Sequence, residues 1–181
     1  DSAGIQRVRR IHERLGFLRR YRLRLRRKGL RLRALWRRRE LSVVNDRTAS
    51  IGPSDILCFL TVRNGGARLP FFLDFYRRLG VNHFLVVSNC STDETTELWG
   101  KAPDVSVWHT DQSYKRARFG MDWINGLLSS HGHGHWCLTV DIDEFLAYPR
   151  DDTRNLRALT DWLSNIRQPA LGTMLIDCYP G

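Results

Sequence analysis

Trp136-Cys137-Leu138-Thr139-Val140-Asp141-Ile142-Asp143-Glu144-Phe145-Leu146 is the stretch whose reading decides the fold. Its first five residues form a short apolar run with aromatic and β-branched members, the pattern of a buried strand over 136–140. Three carboxylates then follow within four residues, Asp141, Asp143 and Glu144. On a strand, residues i and i+2 share a side, so Asp141 and Asp143 converge while Ile142 points away. Carboxylates held together repel unless a cation or a proton sits between them. Hard oxygen ligands in a part-hydrated site suit Mg²⁺ or Mn²⁺, shared with substrate phosphates. The alternative is a strand running out into a solvated acidic turn.

Working outward, the charge of the chain is unevenly divided. Of 181 residues with a net charge of +10, residues 1–50 contribute 17 Lys/Arg against 4 Asp/Glu, and residues 51–181 contribute 12 against 15. A basic arm over 1–50 therefore precedes a slightly acidic domain over 51–181, and an anionic partner implied by charge belongs to the arm. In the arm, Ile11, Leu15, Leu18, Leu25, Leu32 and Trp36 follow helical spacing, interrupted by Arg22 and Gly29. A basic amphipathic helix suits an anionic membrane surface, nucleic acid or an acidic partner, with a solvated charged linker as the alternative. The membrane surface is preferred to nucleic acid. Four dispersed cysteines, Cys58, Cys90, Cys137 and Cys178, form no disulfide framework. The reading is a cytoplasmic protein, with the arm allowing a peripheral position at the inner face of the membrane. No apolar run is long enough for a transmembrane helix, and the N-terminus lacks a signal-peptide core. The absence of an initiating Met suggests a piece of a longer chain.

Beyond the boundary at Gly52-Pro53-Ser54, strand and helix patterns alternate. Strands are expected at 56–62, 83–87, 105–108, 136–140 and 173–176. Helices are expected at 68–79, closed by Gly80, at 91–98, opened by a Ser91/Glu94 capping box, and at 116–128 and 153–166. Such alternation predicts βαβ units and a mostly parallel sheet flanked by helices. Sheets of this kind bind ligands beyond the carboxyl ends of their strands. There the chain places Arg63-Asn64-Gly65-Gly66, then Ser88-Asn89-Cys90-Ser91-Thr92-Asp93, then Asp141-Ile142-Asp143. No Gly-x-Gly-x-x-Gly follows a strand, no P-loop exists, and no nucleophile elbow supports acyl transfer. His131-Gly132-His133-Gly134-His135 could chelate a soft divalent metal, but a flexible loop leading into the strand at 136–140 is the preferred reading.

The series Thr61-Val62-Arg63-Asn64, Leu69 to Phe84, Ser88 to Thr95 and Asp141-Ile142-Asp143-Glu144-Phe145 resembles the family 2 type of glycosyltransferase, in its bacterial branch with an Arg-Asn-Glu loop and an Asp-x-Asp-Glu-Phe motif. The resemblance covers roughly residues 55–180. It implies a GT-A, Rossmann-like nucleotide-sugar-binding fold behind the basic helical arm, a UDP-sugar donor in preference to other nucleotides, and Mn²⁺ or Mg²⁺. It makes Asp143 the direct metal ligand, puts Asp141 on the ribose or on the metal through water, and has Glu144 orient the site or approach the donor sugar. Thr61, Arg63, Ser88, Asn89 and Asp93 then face base and ribose. Arg118 reaches the diphosphate or stands as an exposed helical arginine. The chain departs from the family at Gly65, where Glu is usual, and at Ser88, where Asp is usual. The reaction implied is inverting transfer to a glycan, lipid or other acceptor, with Glu144 and Asp177 the candidates for the base. Because the family places its acceptor site well after Asp-x-Asp, the domain is expected to be a donor-binding half, truncated at its C-terminus. The rival reading is a non-catalytic scaffold whose arm binds nucleic acid or an anionic membrane.

Overall fold

The computed structural model describes residues 17–92, 99 and 101–176. It is an α/β structure with a five-stranded sheet. The described elements are α1 (Phe17–Arg37), β1 (Ser42–Asn45), β2 (Ile56–Val62), α2 (Leu69–Leu79), β3 (His83–Asn89), β4 (Val105–Thr110), α3 (Met121–His131), β5 (Trp136–Thr139) and α4 (Leu156–Asn165). The sheet order is β1-β4-β3-β2-β5. All neighbours are parallel except β1, which runs antiparallel along β4.

The period-2 alternation of the strands builds both sides of the core. From β2, Ile56, Cys58, Leu60 and Val62 point to one face, where they meet Leu69, Phe72, Leu73, Tyr76 and Leu79 of α2, with Trp99 and Leu156. Leu57 and Phe59 point to the other face, onto Trp123, Ile124 and Leu127 of α3. Burial on both faces explains why β2 reads as a continuous apolar run. Gly80 closes α2 with φ 108, a left-handed geometry that glycine adopts without strain. Asn155 opens α4 by accepting a hydrogen bond from the Ala158 N–H.

Some expectations change. The strand expected to reach Val140 ends at Thr139. Val140 N–H still donates to Phe59 O at 3.3 Å, and the chain then turns. Residues 173–176 are not a strand, and Met174, Leu175 and Ile176 are 82%, 70% and 72% exposed. Their apolar run has no neighbouring strand among the described residues. The helix expected from 116 starts at Met121, because Arg118, Phe119 and Gly120 all have positive φ. The helix expected at 91–98 lies largely outside the described residues. β1 was not expected. Its four residues follow the arginine-rich helix and cover the edge of β4.

The C-terminal part of α1 is packed on the domain. Ala34 is 1% exposed, and a Cβ on Gly126 of α3 would stand 3.1 Å from the Ala34 carbonyl oxygen. The small residues let the two backbones approach. No described helix is long and apolar enough to cross a membrane.

Candidate functional site

The sheet changes direction at β2. β3 and β4 add on one side of it, and β5 returns to the other. This is the switch point of a doubly wound sheet, beyond whose carboxyl ends ligands bind. The loop after β2 is tied to the loop after β3. Asn64, at φ 51, accepts from Thr92 N–H at 2.9 Å, while its own N–H donates to Ser91 Oγ at 3.3 Å. Gly65 is tightly enclosed. A Cβ there would lie 2.3 Å from Val62 Cγ2 and 2.6 Å from Ile142 Cδ1. No larger residue fits unless both Val62 and Ile142, the latter between the two aspartates, move.

A cleft of about 250 Å³ opens at this edge, lined by Thr61, Val62, Arg63, Asn89 and Tyr114. Thr61, Arg63 and Asn89 were expected here. Thr61 Oγ1 is buried and has no hydrogen-bond partner among the described residues. Asn89 is fixed by donating Nδ2 to Thr110 O at 3.0 Å and to Gln112 O at 2.9 Å. Arg63 is exposed. Ser88 is fully buried beneath the cleft and donates to Ser91 Oγ at 2.9 Å, so it shapes the loop instead of lining the opening. Asp93 and Asp177 lie outside the described residues.

The carboxylates converge through a turn, not through strand alternation. Glu144 N–H donates to Asp141 O at 3.1 Å, and Asp141 N–H donates to Glu144 Oε2 at 2.9 Å. Glu144 thus closes the turn with its own side chain. Asp143 accepts from Arg68 at 3.3 Å, with both side chains more than half exposed. The Asp141 carboxylate has no partner among the described residues. Burial, then the charges of Glu144 and Asp143, push its pKa above the usual carboxylate range. Tyr76 holds the turn from behind, its hydroxyl donating to Glu144 O at 2.9 Å and accepting from Leu146 N–H at 3.2 Å. Phe145 packs against Phe71, Phe75 and Tyr76.

Tyr114 joins the turn to the cleft. Its pKa is raised by burial and by the nearby Asp141 charge. The sequence reading missed Tyr114, although the polar loop after β4 was a signal for it. It also missed Gly120 and Asp122. A Cβ on Gly120 would lie 2.7 Å from Thr61 Oγ1 and 3.0 Å from Tyr114 Cε2, so the loop crosses the end of β2 in close contact. Asp122 is fully buried, with one oxygen taking Arg33 Nε at 2.8 Å and the other Arg118 Nε at 2.8 Å. Arg118 is therefore neither a helical surface residue nor an unpaired one. Arg33, from α1, also donates to Arg116 O at 2.7 Å. The basic helix thereby anchors the loop that walls the cleft.

Among the described residues no three His, Cys, Asp or Glu side chains are grouped to hold a metal ion. A Mg²⁺ or Mn²⁺ bound through one or two carboxylates and substrate phosphates needs no such group. The unpartnered Asp141 carboxylate beside Asp143 fits that mode. Comparisons with protein-family models, curated proteins and solved structures give no match.

Proposed function

We propose that the chain binds a nucleotide-sugar donor in this cleft and belongs to a metal-assisted glycosyltransferase of the GT-A type. The observation that carries the reading is the meeting of the β2, β3 and β5 loops at the switch point, where a buried, unpartnered Thr61 hydroxyl lines the cleft and the Asp141 carboxylate lies close enough to the cleft residue Tyr114 to raise its pKa. Thr61 and Asn89 offer polar groups to the nucleoside, and Tyr114 offers a ring face. Arg63 stands at the mouth with positive charge for phosphate. Asp141 and Asp143 would hold Mn²⁺ or Mg²⁺, which when bound supplies positive charge to the departing diphosphate.

In inverting transfer the acceptor oxygen bonds to the anomeric carbon as the bond to the diphosphate oxygen breaks, and a carboxylate takes the acceptor proton. Glu144 has one oxygen engaged by the Asp141 N–H, which leaves the other for that role, and Asp177 is the second candidate. The nucleotide is tested by thermal unfolding with UDP, GDP and TDP, each with Mn²⁺. A ligand at a hundredfold its Kd stabilises the folded chain by about 2.7 kcal/mol. UDP is expected to raise Tm most, and Thr61→Val to weaken its effect. No shift with any nucleotide overturns the donor site.

A further inference from the structure

We infer that the outward face of α1 seats the protein on an anionic lipid surface, an inference that stands apart from the donor-site reading. At roughly 100° per residue, Tyr21, Leu25, Leu32 and Trp36, spaced 4, 7 and 4, fall along one stripe of α1. Leu30, Ala34 and Arg37, the least exposed residues of the helix, fall on the opposite side, where Ala34 meets α3. The stripe therefore points away from the domain. Tyr21 is 52% exposed, Leu25 49%, Leu32 67% and Trp36 59%. Gly29, between Leu25 and Leu32, has nothing within 4 Å of where its Cβ would stand.

Charge selects the occupant. α1 contains ten Arg/Lys and no Asp or Glu. Arg24, Lys28 and Arg31 border the stripe on one side, with Arg22 and Arg26 on the other, all exposed. Apolar side chains flanked on both sides by cations match a bilayer interface, where the rings and Leu side chains enter the headgroup–acyl boundary and the guanidinium groups meet lipid phosphate. A nucleic acid would neutralise the arginines but leave four large apolar side chains uncovered. A second copy of this face would bring two rows of cations together. The helix lies on the bilayer without crossing it.

Flotation of the full chain with phosphatidylcholine vesicles, with and without phosphatidylglycerol, tests the inference. Binding is expected only to the anionic vesicles, weakening as added salt shortens the Debye length from about 10 Å towards about 3 Å. Replacing Leu25, Leu32 and Trp36 together with Ala should lower affinity on the order of tenfold or more. Arg24→Gln, Lys28→Gln and Arg31→Gln should each lower it roughly fivefold. Trp36 fluorescence should shift to the blue on binding, a change absent in Trp36→Phe. Circular dichroism and thermal unfolding should be unchanged in the triple variant, since its residues contact solvent. Three results would overturn the inference: vesicle binding that survives the triple variant, no vesicle binding alongside tight duplex RNA or DNA binding, or self-association that disappears with the stripe.

Discussion

The carboxyl edge of the sheet and the outer face of α1 both gather charge, but they hold it differently. At the edge most polar groups are fixed by segments distant in the chain: Asn64 by Thr92, Asn89 by Thr110 and Gln112, and Asp122 by Arg33 with the nearby Arg118. The Thr61 hydroxyl and the Asp141 carboxylate are left without a partner among the described residues. Along the outer face of α1 the cations and the large apolar side chains are exposed and ordered by helical spacing, with the Arg37 guanidinium 5.2 Å from the Trp36 ring centroid. A site that must place a small ligand needs distant segments locked together. A surface that meets a fluid layer needs only a stripe. The two regions are joined by Arg33, whose guanidinium reaches from α1 to Asp122 and to the Arg116 carbonyl of the loop beside the cleft.

The difference is most severely tested at Asp122. Replacing Arg33 and Arg118 together with Met leaves a fully buried carboxylate without either guanidinium, expected to cost roughly 3–5 kcal/mol in chemical denaturation. If the loss stays near zero, Arg33 does not couple the regions. Gly65→Ala comes next. Its methyl group must displace both Val62 and Ile142, so stability should fall by about 1–3 kcal/mol and UDP affinity should fall with it.

A smaller effect is expected with pH. His83 is buried 2.9 Å from Ser106 Oγ, and burial lowers its pKa. The unfolded chain then takes up its proton first as pH falls. Stability from this group is complete above about pH 6.5 and declines below it, with a slope of at most about 1.4 kcal/mol per pH unit until the folded group also titrates. Burial lowers the pKa of His131 too, so it adds to the same decline. Urea midpoints on both sides of that pH, with His83→Gln as the flattened control, measure it. The smallest effect is expected at the stripe, where Leu25→Ala, Leu32→Ala and Trp36→Ala should each change stability by no more than about 0.5 kcal/mol. A larger loss would mean that these side chains pack on the domain.

The parallel core was legible because its signals are local. β2 is a continuous apolar run, α2 repeats Leu69, Phe72, Leu73 and Tyr76 at helical spacing, and Gly80 stops it. Thr61, Arg63 and Asn89 could be placed at the cleft because they end strands that were themselves readable. What escaped depends on segments far apart in the chain. Asp122 in a helix beginning Met121-Asp122-Trp123 looks like a favourable first-turn acid, and nothing nearby announces Arg33 across 89 residues. The run at 173–176 has strand composition but no neighbouring strand among the described residues. The turn at Asp141 to Glu144 replaced the expected strand because Glu144 can bond the Asp141 N–H, a local competition that the alternation rule does not weigh.

The most direct test is calorimetric titration of UDP with Mn²⁺ into the wild-type chain, the Asp141→Ala variant and the Leu25, Leu32, Trp36 alanine variant. The account predicts binding that requires Mn²⁺, is lost in Asp141→Ala and is unchanged in the stripe variant. Equal isotherms for wild type and Asp141→Ala, or no heat from UDP with the wild-type chain, would contradict it.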